Sequence, residues 1–466
     1  MITMDLLAAA RSMAGVLTGE NAAFCGVSTD SRSVAAGELF IALRGENFDG
    51  HAFIAAAKAR GAVAAVVAAD AADQLEALDL PLVLVADTRL ALGALAAGWR
   101  KGFDVPLIAV TGSNGKTTTK EMIASILRVA FGDAVLVTQG NFNNDIGLPL
   151  TLLKLNATHR AVILEMGMNH PGEIAHLAEI AQPTVALVTN AQRAHLAGMG
   201  SIEAIATEKG SIYNSLGQGG VAVFNADDVW AELWRAQCAG HRVMTFGLEQ
   251  PADVGAQCQL HGLENYLTLS VQGEQVSVAL ALPGVHNARN ALAAATAALA
   301  TGIPLAAVRE GLAAFRGIKG RLQRCAGLNG AILLDDTYNA NPDSVRAGID
   351  VLAATIGKKV LVLGDMGEIG EMTGQFHDEV GGYAKSQGVD RLFAFGESSL
   401  LAAHNFGAGG VHYKKIEELI TAVIAELSSD TAAGTTVLVK GSRFMQMERV
   451  VNAITAAGPA EEKPCC

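Results

Sequence analysis

The stretch "VPLIAVTGSNGKTTTKEMIASILRV" (105–129) constrains the fold of this chain more than any other. An apolar run fit for burial on both faces ends in two glycines, a lysine and three threonines, and a helical pattern follows at once. A glycine-rich turn between strand and helix leaves several backbone N–H groups aimed at one point, where the helix dipole adds partial positive charge. Such a point receives phosphate. A strict Walker A loop reads G-x-x-x-x-G-K-[ST]; here Val110 stands at its first glycine, and the shorter T-G-x-N-G-K-T takes its place. Thr111, Gly112, Ser113, Asn114, Gly115, Lys116, Thr117 and Thr118 are therefore the expected ATP cradle. Lys116 reaches the β- and γ-phosphates and the Thr117 hydroxyl sits on Mg²⁺. The loop alone does not name a reaction, because kinases, switches and ligases all hold phosphates.

The surrounding pattern repeats the theme. At 466 residues the length points to about three domains. Residues 1–100 hold short strand candidates, "ELFIAL", "AVAAVV" and "PLVLVA", with the helical "AFIAAAKARG" between the first two. Residues 101–316 alternate apolar runs with helices, which predicts a doubly wound, mostly parallel sheet. "YLTLSVQGEQVSVAL" (266–280) departs from this and reads as an appended hairpin. Residues 317–466 resume the alternation with "AILLDD", "KVLVLGDM", "RLFAFG" and "TTVLVKG". The fold class is α/β in three domains: a small N-terminal one, the central phosphate-loop domain and a C-terminal Rossmann-like one.

Charge and composition narrow the partners. A net charge of −12 argues against a nucleic-acid binder. The amino terminus lacks a basic start followed by an apolar stretch, and no uninterrupted apolar run is long enough to insert in a membrane. Six scattered cysteines form neither a disulfide framework nor a zinc spacing, and "CQLH" (258–261) reads as a chance pair. A cytoplasmic, monomeric enzyme is the expectation.

The phosphate loop together with "GNFNNDIGLPLTLL" (140–153), "ILEMGMNHPGEI" (163–174) and "HNARN" (286–290) resembles the Mur ligase family. These are ATP-dependent enzymes that add amino acids to the peptide of the bacterial cell-wall precursor. The likeness runs over nearly the whole chain. "NFNNDIG", "EMGMNHPGEI", "DDTYNANPDS" and "LGDMGEIG" are similar to the branch of the family that adds D-alanyl-D-alanine. The implied partners are UDP-MurNAc-tripeptide and D-alanyl-D-alanine, joined through an acyl phosphate. A sister ligase adding a diamino acid, or a folylpolyglutamate synthetase, is the alternative. The sister's "DNPR"-type motif is replaced here by "NANPDS". A nucleotide-dependent switch is the non-enzymatic rival.

Site residues follow from position and from that resemblance. Glu165 ends a buried strand at the carboxyl edge of the sheet, where a carboxylate beside a triphosphate holds Mg²⁺. The family match implies that His195 helps hold a second Mg²⁺ and that Lys209 is carbamylated by CO₂, turning an ammonium into an anionic metal ligand. The metal set is thus Thr117, Glu165, His195 and Lys209, and the catalytic set adds Lys116 and Arg321. Arg321 is suited to bidentate phosphate contact, and its family counterpart lies on the γ-phosphate. Asn287 and Asn290 carry the paired donors and acceptors an adenine edge needs, with helix capping by Asn287 as the plainer role. Asp336, Tyr338 and Asn339 are implied on the nucleotide side. Asn341, Lys440 and Ser442, with Gly441, are implied on the side of the incoming dipeptide. Asn141, Asn143 and Asn144 join the substrate-binding set. Ser28, Thr29, Asp30, Ser31 and Arg32, and then Asp49, Gly50 and His51, resemble the stretch that holds the UDP end of the precursor. Asp365 and Glu368 make an acidic loop unsuited to phosphate. A hinge near 316–320 is expected, because an activated carboxyl and an amine carried on separate domains must meet.

Overall fold

A computed structural model describes residues 1–45, 47–74, 79–428 and 432–456; the terminal "EEKPCC" lies outside the described residues. Three sheets of five or more strands follow one another along the chain. In the first, the strands Val27–Ser28, Leu39–Ile41, Ala64–Ala68 and Leu82–Val85 run parallel, and Val16–Thr18 closes one edge antiparallel to Leu82–Val85. The expected helix between the first two predicted strands is Ile54–Ala59, entered through a 3₁₀ turn at Gly50–Phe53.

The central sheet has nine strands, and Leu107–Thr111 lies inside it between Ala161–Glu165 and Val185–Val188. All five residues of Leu107–Thr111 are buried, as a strand covered on both faces requires. From it the chain winds one way, through Val135–Val137 and Ala161–Glu165, and then the other, through Val185–Val188 and Val221–Asn225 to Arg242–Gly247. The reversal opens a crevice at the carboxyl end of Leu107–Thr111, where open α/β sheets take their ligands. The predicted hairpin is present as Glu264–Val271 and Glu274–Leu280, and a further strand, Val254–His261, joins it to the parallel part. Sequence reading missed that strand, along with the short Val135–Val137, because neither carries a long apolar run.

The third sheet, of six strands, repeats the layout. Ile332–Asp336 pairs in parallel with Thr435–Lys440, so that Asp336 and Lys440 stand opposite each other at the carboxyl edge. One apolar core runs without a break from the first sheet into one face of the second, joining Leu92 and Leu95 to Leu152 and Ile180. The third sheet has two further clusters, one of which Leu196 and Leu263 of the second domain touch. No described helix is long and apolar enough to cross a membrane.

Candidate functional site

The carboxyl edges of the second and third sheets face one cleft of about 1110 Å³. On the central side stands the phosphate loop. Gly112 and Gly115 have φ of 151° and 82°, and a Cβ at either would run into Thr189 or Asn290, so only glycine lets the loop turn here. Gly115 caps the helix Lys116–Phe131, whose first-turn N–H groups therefore point into the cleft. Lys116 folds back, donating from Nζ to the carbonyl of Gly112 at 2.7 Å. Burial holds its ammonium below its ordinary pKa, against the attraction of Glu165.

Glu165 lies where the sequence predicts, 3% exposed at the end of its strand. Its Oε1 accepts from Asn143 Nδ2 at 2.9 Å, while its buried Oε2 has no hydrogen-bond partner. The buried Lys120 ammonium, 3.8 Å from that oxygen, offsets only part of the cost of burying it without a hydrogen bond. A hard cation answers that cost, and Thr117 carries an oxygen donor on the same wall. Among the described residues no group of three or more His, Cys, Asp and Glu side chains stands ready to hold a metal.

His195 adopts a left-handed backbone, φ 59°, just before the short helix Leu196–Met199. Its Nδ1 is 3.0 Å from Glu368 Oε2 but is not aligned for a hydrogen bond. Burial lowers the pKa of the imidazole; Glu368 opposes this, and Lys116 and Lys209 reinforce it. Lys209 is buried in the helix Ile202–Gly210, behind the cleft wall rather than on it. Burial first, and then the charge of Lys116, push its pKa well below the ordinary value. Both causes favour the uncharged form of the amine, which is the nucleophilic one.

On the opposite wall Arg321 stacks over the Tyr338 ring, 3.9 Å from its centroid, and its Nη2 approaches Thr117 Oγ1 at 3.5 Å. Its buried Nε has no partner. Asp336 is held by Lys440 Nζ at 2.5 Å and by the Leu322 N–H at 3.2 Å. Lys440 also donates to the Asn339 carbonyl. Ser442 Oγ bridges Ala340 and Gly367. Asn341 caps the helix Pro342–Ala353 and donates to Asn114 Oδ1 at 2.8 Å, linking this wall to the phosphate loop. In the acidic loop Asp365 accepts the Ser398 and Ser399 N–H groups, while Glu368 points to His195.

Several of the expected residues also make contacts of their own within the fold. Asn287 does not cap its helix: Gly284 is the cap of Val285–Ala300, and Asn287 donates to the Pro283 carbonyl one turn back. Asn290 accepts from Thr119 and donates to Asn287, so both amides brace the base of the loop as well as lining the cleft. His51 is buried, with Nδ1 on Asp49 and Nε2 accepting the Ala68 N–H, and a Cβ at Gly50 would meet the Leu43 carbonyl. Those two residues build their turn. Neither they nor Ser28–Arg32 line the cleft, and Asp30 and Arg32 pair with each other at the surface. Asn141, Asn143 and Asn144 do line it.

Sequence reading passed over Asn225, Asp227, Asp228 and Arg289, which line one end of the cleft. Asp227 accepts the N–H groups of Leu248, Glu249 and Gln250, with Arg289 Nε 3.7 Å away. Their signal was position: Asn225 ends the strand Val221–Asn225 at the carboxyl edge, and Asp227 and Asp228 follow it.

Known proteins share this arrangement. The model for the Mur ligase family catalytic domain matches residues 24–100, that for the Mur ligase middle domain 110–298, and that for the glutamate ligase domain 320–443. The UDP-N-acetylmuramoyl-tripeptide–D-alanyl-D-alanine ligase of Escherichia coli (strain K12) is 40% identical over 462 residues, covering 98% of this chain and 100% of that one. A crystal structure of MurF from Acinetobacter baumannii superposes with a TM-score of 0.90 at 34% identity, covering 97% and 98% of the two chains. MurF from Thermotoga maritima in complex with ADP gives a TM-score of 0.78 at 27% identity, covering 92% and 96%. With three family models matched in order and a relative this similar along its whole length, the chain belongs to the Mur ligase family.

Proposed function

We propose that this chain is the ATP-dependent ligase that joins D-alanyl-D-alanine to UDP-MurNAc-tripeptide, forming a C–N bond in peptidoglycan precursor synthesis. The full-length relatives carry that name, and the observation that carries the chemistry is the shared cleft. A phosphate loop and the carboxyl edge of a separate sheet line one space, so an activated acid and an amine can meet there. We take 1–100, 101–316 and 317–466 as the precursor-, ATP- and amine-binding domains.

In this reading the terminal carboxylate of the tripeptide attacks the γ-phosphorus of ATP, ADP leaves, and an acyl phosphate forms. The dipeptide amine then attacks the acyl carbon, and inorganic phosphate departs from the tetrahedral intermediate. Lys116 and the N–H groups of the loop hold the β- and γ-phosphates, and Arg321 meets the γ-phosphate from the opposite wall. Thr117, Glu165, His195 and the carbamate of Lys209 would hold two Mg²⁺ ions, which supply positive charge to the phosphate oxygens during transfer. The enclosure of Lys209, which disfavours its ammonium form, supports the carbamate: the free amine adds to CO₂ and loses one proton, leaving an anion where a carboxylate is wanted. The Asn287 and Asn290 end of the cleft takes the adenine.

Phosphate release from ATP tests the whole reading. It should require UDP-MurNAc-tripeptide and D-alanyl-D-alanine together and match peptide product mole for mole. Hydrolysis at one rate with or without them, and no product, would sink it.

A further inference from the structure

We infer that Arg193 is a positioning residue that links the state of the phosphate loop to docking of the third domain. Arg193 lies in the loop that follows the strand Val185–Val188, and that loop is tied down on two sides. Toward the nucleotide, the Gln192 N–H donates to Ser113 Oγ at 2.9 Å, and Ser113 Oγ donates back to the Gln192 carbonyl at 3.1 Å. Asn114 Nδ2 donates to Gln192 Oε1 at 2.7 Å, and the Asn114 N–H donates to Asn190 Oδ1 at 2.9 Å. The residues that would surround a β-phosphate therefore hold this loop directly.

Toward the third domain, Arg193 makes a fork. Its backbone N–H donates to Asp343 Oδ2 at 2.8 Å, and Nε and Nη2 both donate to Asp343 Oδ1, at 3.0 and 2.7 Å. Nη1 donates to Glu379 Oε2 at 3.0 Å, and the guanidinium lies 5.2 Å over the Phe376 ring. Asp343 is in the first turn of Pro342–Ala353, and Glu379 is in Thr373–Ser386, where Arg346 also holds it at 2.7 Å. One side chain thus grips two helices of the third domain from a loop of the second. It is 20% exposed, so water competes weakly for its bonds.

Removing Arg193 leaves Asp343 and Glu379 facing a vacated, part-buried position and frees the wall that carries Arg321 and Asn341. A lysine cannot restore the fork, because the grip depends on planar, divergent N–H groups. Arg193 touches no reacting atom; it acts through the placement of that wall. The proposal rests on the ligase reading only for its kinetic readout.

The test uses the full chain with Arg193→Ala, Arg193→Lys, Asp343→Ala and the Arg193→Ala/Asp343→Ala double variant. Nucleotide affinity should fall as docking is lost, and kcat/KM for D-alanyl-D-alanine should fall at least about tenfold. Arg193→Lys should fall nearly as far, and the double variant no further than the worse single. Small-angle scattering with a non-hydrolysable ATP analogue should show the wild type compact and the variants expanded. Glu379→Gln, which keeps size and fold, should give a smaller loss in the same direction. Additive losses, or variants as active and compact as wild type, would overturn the proposal. A wild type that makes no peptide would count against the ligase reading alone, and the scattering comparison would still decide the role of Arg193.

Discussion

Lys209 and His286 show how enclosure, more than neighbouring charge, sets the state of individual groups. Burial is the largest cause of the lowered pKa of Lys209, and the nearby Glu208 carboxylate only partly opposes it. If the carbamate forms, Lys209→Ala loses most peptide product and regains part of it when millimolar acetate or formate is added. Product assays across carboxylate concentrations check this, and no recovery at any concentration removes support for the carbamate. His286, mostly enclosed in the cleft wall, has its pKa lowered from 6.5 to about 4 by burial first and then by Lys440. The unfolded chain therefore takes up a proton near pH 6.5 that the folded chain refuses until about pH 4. Stability from this group is full above 6.5 and drains as pH falls through that window, by at most about 1.4 kcal/mol per unit. Urea unfolding at several pH values should show a flatter acid side for His286→Gln; superimposable profiles would exclude this source.

At the scale of elements, the phosphate loop is only as well placed as the helix behind it. Lys116–Phe131 is crossed by Leu305–Ala314 so closely that a Cβ on Gly311 would lie 2.4 Å from Ile126 Cα. Ser125 Oγ donates to the Gly311 carbonyl at 2.7 Å, which fixes the crossing point. Gly311→Ala sets two effects against each other. Alanine favours the helix by about 1 kcal/mol. Overpacking costs about 1–3 kcal/mol, and here the obstacle is backbone, which cannot rotate away. Overpacking should win, so denaturant titration is expected to give a net loss and a lower nucleotide affinity; a gain in stability would mean the helices can separate freely. Asn341 illustrates the same coupling, since it caps its own helix and touches Asn114 across the cleft.

For the whole molecule, the contrast lies between its two junctions. The first sheet and the second share one continuous apolar core, with the helix Thr88–Arg100 laid on Glu173–Ala181 so closely that Gly93 faces Ile180 directly. Second and third meet largely through polar groups: Arg193 with Asp343 and Glu379, Asn114 with Asn341, and His195 with Glu368. Apolar seams resist opening, whereas a polar seam can exchange its partners for water at little net cost. The connecting segment carries Gly317 and Gly320 at φ of 92° and 74°. Adding nucleotide and precursor should therefore shift the scattering profile through movement of the third domain against a rigid first and second. A profile unchanged at saturation would argue for a fixed closed form.

Much of this was legible in the primary structure. The phosphate loop, Glu165 at its strand end, the alternating patterns and the hairpin at 266–280 are local, because each depends on periodicity or turn chemistry within a few residues. Long quoted strings also carried the family. What the chain order could not show was which partners these side chains would find within the fold: Asp49 and Ala68 for His51, Pro283 for Asn287, Asp336 for Lys440. Nor could it show that Arg193 would find Asp343 and Glu379, separated from it by 150 and 186 positions. Such pairings arise only when separately folded sheets turn their carboxyl edges toward one another, because burial then decides which polar groups must find a partner.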